Sequence, residues 1–182
     1  MPVGVLICGP PGTGKSTNVH RVMKNAGFEG DFVLVDPDKI KADSHAEQSS
    51  RAIVLLAETI DERKDVVYTG SCLAVSQINA ILKKMKSKKY RTIVAISYTS
   101  LSTSLKRIAG RKDQPLDVDI ASEVYNYFST KAQRYMNLPA IDEIYLYNNE
   151  TDFNLLFSRK KKKIMCSDPS GEFYFDVSEY CK

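Results

Sequence analysis

The sequence is poor in the residues that metal and disulfide scaffolds depend on. It holds four cysteines and two histidines in 182 residues. No two cysteines form a C-x-x-C pair, and His20 and His45 do not supply a zinc-finger spacing. Neither a disulfide framework nor a Cys/His zinc site is expected, and Cys8, inside an apolar run, reads as core. No apolar run reaches the roughly 18 residues needed to span a bilayer. Met1-Pro2-Val3-Gly4-Val5-Leu6 lacks the basic n-region of a secretory signal. These two absences predict a cytosolic chain with no membrane partner. No Asn-Lys-x-Asp run is present to read guanine, which argues against switch GTPases. No acid closes the apolar run Val66-Val67-Tyr68-Thr69-Gly70, which argues against motor and AAA-type ATPases. The chain is also short for the additional machinery of those enzymes.

What is present reads as one globular domain, or one with a small appendage. Hydrophobic residues make up 43% and charged residues 26%, close to the globular average. The net charge is +4, but the surplus is local. Residues 81–115 carry ten Lys/Arg against one acid. Such a patch fits a nucleic-acid or phosphate partner, or a solvated basic helix face.

Short apolar runs alternate with helical periodicity. Val3 to Cys8, Phe32 to Val35, Val66 to Tyr68, Thr92 to Ile96 and Ile141 to Tyr147 read as buried strands. Helical patterns lie between them, including Ser44 to Ile60, Leu101 to Ala109 and Val118 to Met136. This order predicts an α/β fold of three αβα layers around a five-stranded parallel sheet. After Asn148 the rhythm changes. Lys163-Ile164-Met165-Cys166 and Glu172-Phe173-Tyr174-Phe175 flank a turn and predict a C-terminal β-hairpin. The expected division is a 1–150 core and a 151–182 appendage packed on the same domain.

Gly9-Pro10-Pro11-Gly12-Thr13-Gly14-Lys15-Ser16 fits G-x-x-x-x-G-K-[ST] at every fixed position. It follows a buried strand and opens a helical pattern. Glycines let successive N–H groups point inward at an anion, and the helix adds its positive end. Lys15 would reach the β- and γ-phosphates, and Ser16 would offer its hydroxyl to Mg²⁺. Gly9 to Ser16, with Thr17 after them, are the candidate nucleotide-binding residues. The chain is therefore expected to bind a nucleoside triphosphate.

Two further features predict phosphoryl transfer in a small P-loop kinase. Asp36-Pro37-Asp38-Lys39-Ile40-Lys41 stands at the carboxyl end of the second strand, the ligand edge of a parallel sheet. One of its carboxylates would hold Mg²⁺-bound water while the other accepts a hydroxyl proton. Asp36 is the candidate metal residue beside Ser16. Arg107 and Arg111 lie four apart and share a helical face, so they would clamp the migrating phosphoryl group.

Together with Asn148-Asn149, these motifs resemble the zeta-toxin family of kinases over roughly residues 3–150, and more loosely the 5′-polynucleotide kinases. The resemblance implies a P-loop kinase fold and ATP·Mg²⁺-dependent phosphorylation of a hydroxyl on a UDP-activated amino sugar. It implies Asp38 as general base, Lys15 and Ser16 as P-loop partners, Arg107 and Arg111 as lid arginines, and Asn148 near the adenine. The family usually carries an acid where Thr69 stands. Thr69 would then meet Mg²⁺ through water or bind the acceptor, and Lys41 is a further acceptor candidate. The alternatives are a 5′-hydroxyl polynucleotide kinase, supported by the basic stretch, and a non-catalytic ATP-binding module, supported by Thr69. A toxin role would in addition require a neutralising protein partner.

Overall fold

Five β-branched and aromatic runs form the parallel core, and two strands extend it. The computed structural model describes residues 1–111, 116–161, 163–167, 174 and 177–181. The strands are β1 (Val3–Cys8), β2 (Val33–Val35), β3 (Val66–Gly70), β4 (Arg91–Tyr98), β5 (Glu143–Asn148), β6 (Asn154–Lys160) and β7 (Lys163–Cys166). Their order across the sheet is β2-β3-β1-β4-β5-β6-β7. β1 to β5 run parallel, and β6 and β7 are antiparallel. The parallel part has the five strands expected, and among the described residues the sheet has seven.

The α-helices are α1 (Val19–Asn25), α2 (His45–Asp61), α3 (Val75–Ser87), α4 (Leu101–Ala109) and α5 (Val118–Lys131). α2 starts where Ser44 accepts the Glu47 N–H, a side-chain cap for an otherwise unpaired donor. The helix expected to run from Val118 to Met136 is α-helical only to Lys131 and tightens into a 3₁₀ turn over Ala132–Asn137. Val19, Val22 and Met23 of α1 pack one sheet face, over Val5, Ile7 and Ala95. Leu56 of α2, Leu82 of α3 and Phe128 of α5 pack the other, over Leu6, Val94 and Ile96. Alternate residues of β1 thus enter opposite cores, as a strand covered on both faces requires. No helix among the described residues is long and apolar enough to cross a membrane.

The C-terminal hairpin forms, but its strands are β6 and β7. The predicted partner of Lys163–Cys166, residues 172–175, lies outside the described residues except for Tyr174. β6 escaped notice because Asn154 and the run Ser158-Arg159-Lys160 dilute its apolar pattern. Its Leu156 and Phe157 are buried against β5.

The disulfide expectation is corrected. Cys8 is bonded to Cys72 and Cys166 to Cys181. Pairing of β1 with β3 sets Cys8 beside Gly70, and the chain then turns back through Cys72, whose φ is 54°. A contact across 64 residues leaves no spacing signal. Cys8 is nevertheless core, fully shielded from solvent.

The basic surplus also finds its partners in the fold. Lys84 and Lys88 pair with Asp61, Lys86 with Asp142, and Arg91 with Glu143. These pairs sit at the amino end of β4 and the end of α3. That is the edge of the sheet opposite the glycine-rich loop.

Candidate active site

The loop from Gly9 to Lys15 joins β1 to a 3₁₀ turn at Ser16–Asn18, which runs on into α1. Gly12 and Gly14 have φ of 78° and 80°, the left-handed region that glycine enters without a steric cost. Neither has room for a side chain. A Cβ on Gly12 would meet the Ser104 carbonyl oxygen at 2.5 Å, and one on Gly14 would collide with the Asn149 amide.

The carbonyls of this loop are tied by side chains, one carbonyl from within the loop and three from outside it. Thr13 Oγ1 and Lys15 Nζ donate to the Pro10 carbonyl at 2.9 and 2.8 Å. Ser104 Oγ donates to Pro11 O at 2.6 Å. Arg107 Nη1 donates to Gly12 O at 3.3 Å. Ser97 Oγ and Asn149 Nδ2 donate to Thr13 O at 2.6 and 2.9 Å.

The second strand delivers the carboxylates. Asp36 is 5% exposed and caps the 3₁₀ turn Pro37–Lys39 through the Asp38 N–H. Its other oxygen accepts Ser16 Oγ at 2.8 Å. β2 and β3 pair Leu34 with Val67 and Val35 with Tyr68. One step further along that register stands Asp36 beside Thr69. Thr69 is 1% exposed, and its Oγ1 is buried without a hydrogen-bond partner. Ser16 and Asp36 bring two hard oxygen donors together, a pair that suits a Mg²⁺ ion keeping most of its waters, and Thr69 at the end of β3 is a further oxygen that could meet it through water. No cluster of three or more His, Cys, Asp or Glu is present among the described residues.

Lys15 sits half-buried between opposing charges. Desolvation lowers its pKa from 10.5 to about 8, with Asp38 and Asp36 pulling it up and Arg111 pushing it down. Asp38 and Arg111 are both exposed, and their charges are felt at Lys15. Tyr68 lines this region too. Burial raises its phenol pKa, and Asp36 and Asp38 raise it further.

The predicted arginine pair is divided. Arg111 is exposed, past the end of α4. Arg107 instead spreads its guanidinium over backbone carbonyls: Gly12, and Nη2 to Asn149 and Glu150 at 2.8 and 3.2 Å. A helix break separates them, because α4 ends at Ala109 and the i, i+4 face does not continue. Asn148 stands at the end of β5. Its Oδ1 accepts the Glu150 N–H at 2.9 Å, and the neighbouring Asn149 reaches the loop. Lys41 is exposed and its carbonyl is held by Arg51. Thr17 is exposed on the 3₁₀ turn.

Sequence reasoning missed Tyr68, Ser97, Ser104 and Glu150. Serines on apolar strands and helices carry no motif, and only the meeting of β4, α4 and the loop after β5 gives them a role. Glu150 accepts the Ser100 N–H at 2.6 Å and Ser100 Oγ at 2.7 Å, and also takes the Thr103 hydroxyl. Burial would raise its pKa, but these donors and nearby Arg107 outweigh it and hold the carboxyl below the usual range.

A phosphate-binding loop on β1, flanked by β3 and β4 and carrying a lysine and a hydroxyl beside a strand-end carboxylate, defines a P-loop α/β domain of the kinase type. The family described as an AAA domain, AAA_33, matches residues 5–134, and the chain belongs to it. That description carries the AAA name although no acid closes β3. The fold is similar to that of the AvrRxo1-ORF1:ORF2 complex, at TM-score 0.71 and 14% identity, covering 92% of this chain and 61% of that one. The same complex was also solved with ATP, at TM-score 0.68. It is similar to a structure from the PezAT chromosomal toxin-antitoxin system of Streptococcus pneumoniae, at TM-score 0.70 and 17% identity, covering 92% and 75%. It is similar to a gluconokinase from Sinorhizobium meliloti, at TM-score 0.54 and 13% identity, covering 81% and 82%. Among curated proteins none matches by sequence.

Proposed function

We propose that the chain is an ATP-dependent kinase acting on a hydroxyl of a small nucleotide-type acceptor, with a UDP-amino sugar as the first candidate. The observation that carries the reading is the loop shaped for phosphate with Lys15 at its end, joined through the Ser16–Asp36 hydrogen bond to the carboxylates that follow β2. The loop N–H groups and Lys15 would hold the β- and γ-phosphates of ATP. Asp36, Ser16 and Thr69 would hold Mg²⁺, which when bound neutralises phosphate charge. Asp38, exposed at the open end of β2, would accept the acceptor's hydroxyl proton. The acceptor oxygen then bonds to the γ-phosphorus as the bond to the ADP oxygen breaks. Arg111 would stabilise the charge spreading over the transferring group.

A small acceptor is favoured over a polynucleotide by the ion pairs at the far edge. Lys84, Lys86, Lys88 and Arg91 are partnered by acids of this chain. Four of the ten basic residues in the apparent nucleic-acid footprint are thereby engaged within the chain.

The test is an acceptor screen with γ-labelled ATP over UDP-sugars, nucleosides, nucleotides and 5′-hydroxyl oligonucleotides. Label is expected on a UDP-sugar or other small nucleotide. Label on oligonucleotides alone overturns the small-acceptor reading, and no transfer to any acceptor overturns the kinase reading. Asp38→Ala is expected to lower turnover at least about a hundredfold while ATP affinity stays within about twofold. Wild-type turnover in that variant removes Asp38 from the base role.

A further inference from the structure

The ties on the loop carbonyls have a geometric consequence. All described peptide bonds are trans. In a planar trans peptide the C=O and the following N–H point in opposite directions. Drawing a carbonyl outward therefore aims the next residue's N–H inward. Ser104 on Pro11 O sets the Gly12 N–H, and Arg107 on Gly12 O sets the Thr13 N–H. Ser97 and Asn149 on Thr13 O set the Gly14 N–H. Three successive donors are thus oriented before any anion arrives, and the left-handed torsions of Gly12 and Gly14 curve them into one concavity.

Arg107 is the link between two of these supports. The same guanidinium that holds Gly12 O also holds the carbonyls of Asn149 and Glu150, just beyond β5. Glu150 in turn fixes the start of α4 through Ser100 and Thr103, and α4 carries Ser104 and Arg107 themselves. The loop, α4 and the segment after β5 form a closed ring of hydrogen bonds. A guanidinium suits this place because its planar fork can meet several carbonyls at once.

We propose that Arg107 is a positioning residue that preorganises the phosphate cradle through the Gly12 carbonyl, rather than a clamp on the transferring phosphoryl group. The proposal rests on the kinase reading for its rate arm and on nucleotide binding alone for its affinity arm. Interactions that bind ground state and transition state equally appear in KM, whereas those made only in the transition state appear in kcat.

Arg107→Ala, Arg107→Lys and Ser104→Ala are compared with wild type by calorimetric titration of ADP and ATP, steady-state kinetics and thermal unfolding. Arg107→Ala is expected to weaken ADP and ATP alike by about tenfold or more, with kcat at saturating ATP within about threefold. Arg107→Lys, which keeps the charge and some of the donors, is expected to recover part of the affinity. Ser104→Ala removes one tie and no charge, so it folds on easier terms. It is expected to weaken ADP by about threefold to tenfold, the loss of one neutral hydrogen bond. A hundredfold fall in kcat with unchanged ADP affinity in Arg107→Ala would show contact with the reacting phosphoryl and overturn the proposal. A lowered melting temperature with unchanged affinity and kcat would reduce Arg107 to a structural tie and also overturn it. ADP affinity unaltered in Ser104→Ala refutes the brace even where Arg107→Ala fails to fold. If no acceptor is phosphorylated but Arg107→Ala weakens ADP tenfold, the brace stands and the kinase reading falls.

Discussion

Glu143→Ala is expected to lower the unfolding free energy at pH 7 by about 3 kcal/mol, the low end for breaking a buried ion pair. Glu143 Oε1 accepts Arg91 Nε at 2.6 Å, and Oε2 accepts the Tyr145 hydroxyl at 2.5 Å. The two charged side chains are 11% and 24% exposed. Removing the carboxylate leaves a mostly shielded guanidinium without its anion and a buried phenol without its acceptor. The low end applies because Arg91 keeps the Ala26 carbonyl at 2.8 Å. Burial pushes the Glu143 pKa up, but the bonds from Arg91 and Tyr145 outweigh it and the carboxyl titrates below 4.5. A depressed folded pKa gives stability that is complete above the unfolded value and lost as pH falls through the folded one. The gap between wild type and Glu143→Ala should therefore be widest near neutrality and narrow toward pH 3. Urea unfolding of both proteins at pH 7, 5 and 3 measures it. A gap under about 1 kcal/mol at pH 7, or one of the same size at pH 3, would refute the pairing argument.

Cys72→Ser is expected to cost about 4 kcal/mol on the chain-entropy estimate for the 64-residue separation of Cys8 and Cys72. Urea unfolding of wild type and Cys72→Ser without reductant checks it, and identical curves would mean that the bond does not form in solution. Thr69→Val removes a buried hydroxyl that has no partner, so the nucleotide-free protein should be equally stable or up to about 1 kcal/mol more so. A loss larger than that in the same assay would show that the hydroxyl is hydrogen-bonded. Gly12→Ala combines a left-handed torsion with a 2.5 Å approach to a backbone oxygen. Nucleotide affinity by calorimetry should fall at least about tenfold; retained affinity would sink the cradle reading.

Much of this protein is local in origin. The run Val3 to Cys8 is apolar at every position except one glycine, so burial on both faces was written into it. The G-x-x-x-x-G-K-[ST] pattern is contiguous because a phosphate is small, and one turn of backbone can enclose it. The alternation of strand and helix periods was equally legible, and with it the parallel core. Asp36 and Asp38 stood out because they follow a strand directly.

Other features depend on residues distant in the chain. Asp36 comes to the ligand edge next to the end of β3 only because β2 pairs with β3 in a particular register. Arg107 looked like a clamp because helical spacing alone pairs it with Arg111. The end of α4 at Ala109 and the bonds from Arg107 to the carbonyls of Gly12, Asn149 and Glu150 appear only in the tertiary structure, and the proposed positioning role rests on them. The excess of lysines in residues 81–115 looked unpaired because its acids, Asp61, Asp142 and Glu143, lie in other elements. Cys8 meets Cys72 for the same reason. A linear pattern reports which face of an element is apolar and where the backbone must bend. Hydrogen bonds and charges act over a few ångströms, so their partners are set only when the sheet order brings remote segments within that reach.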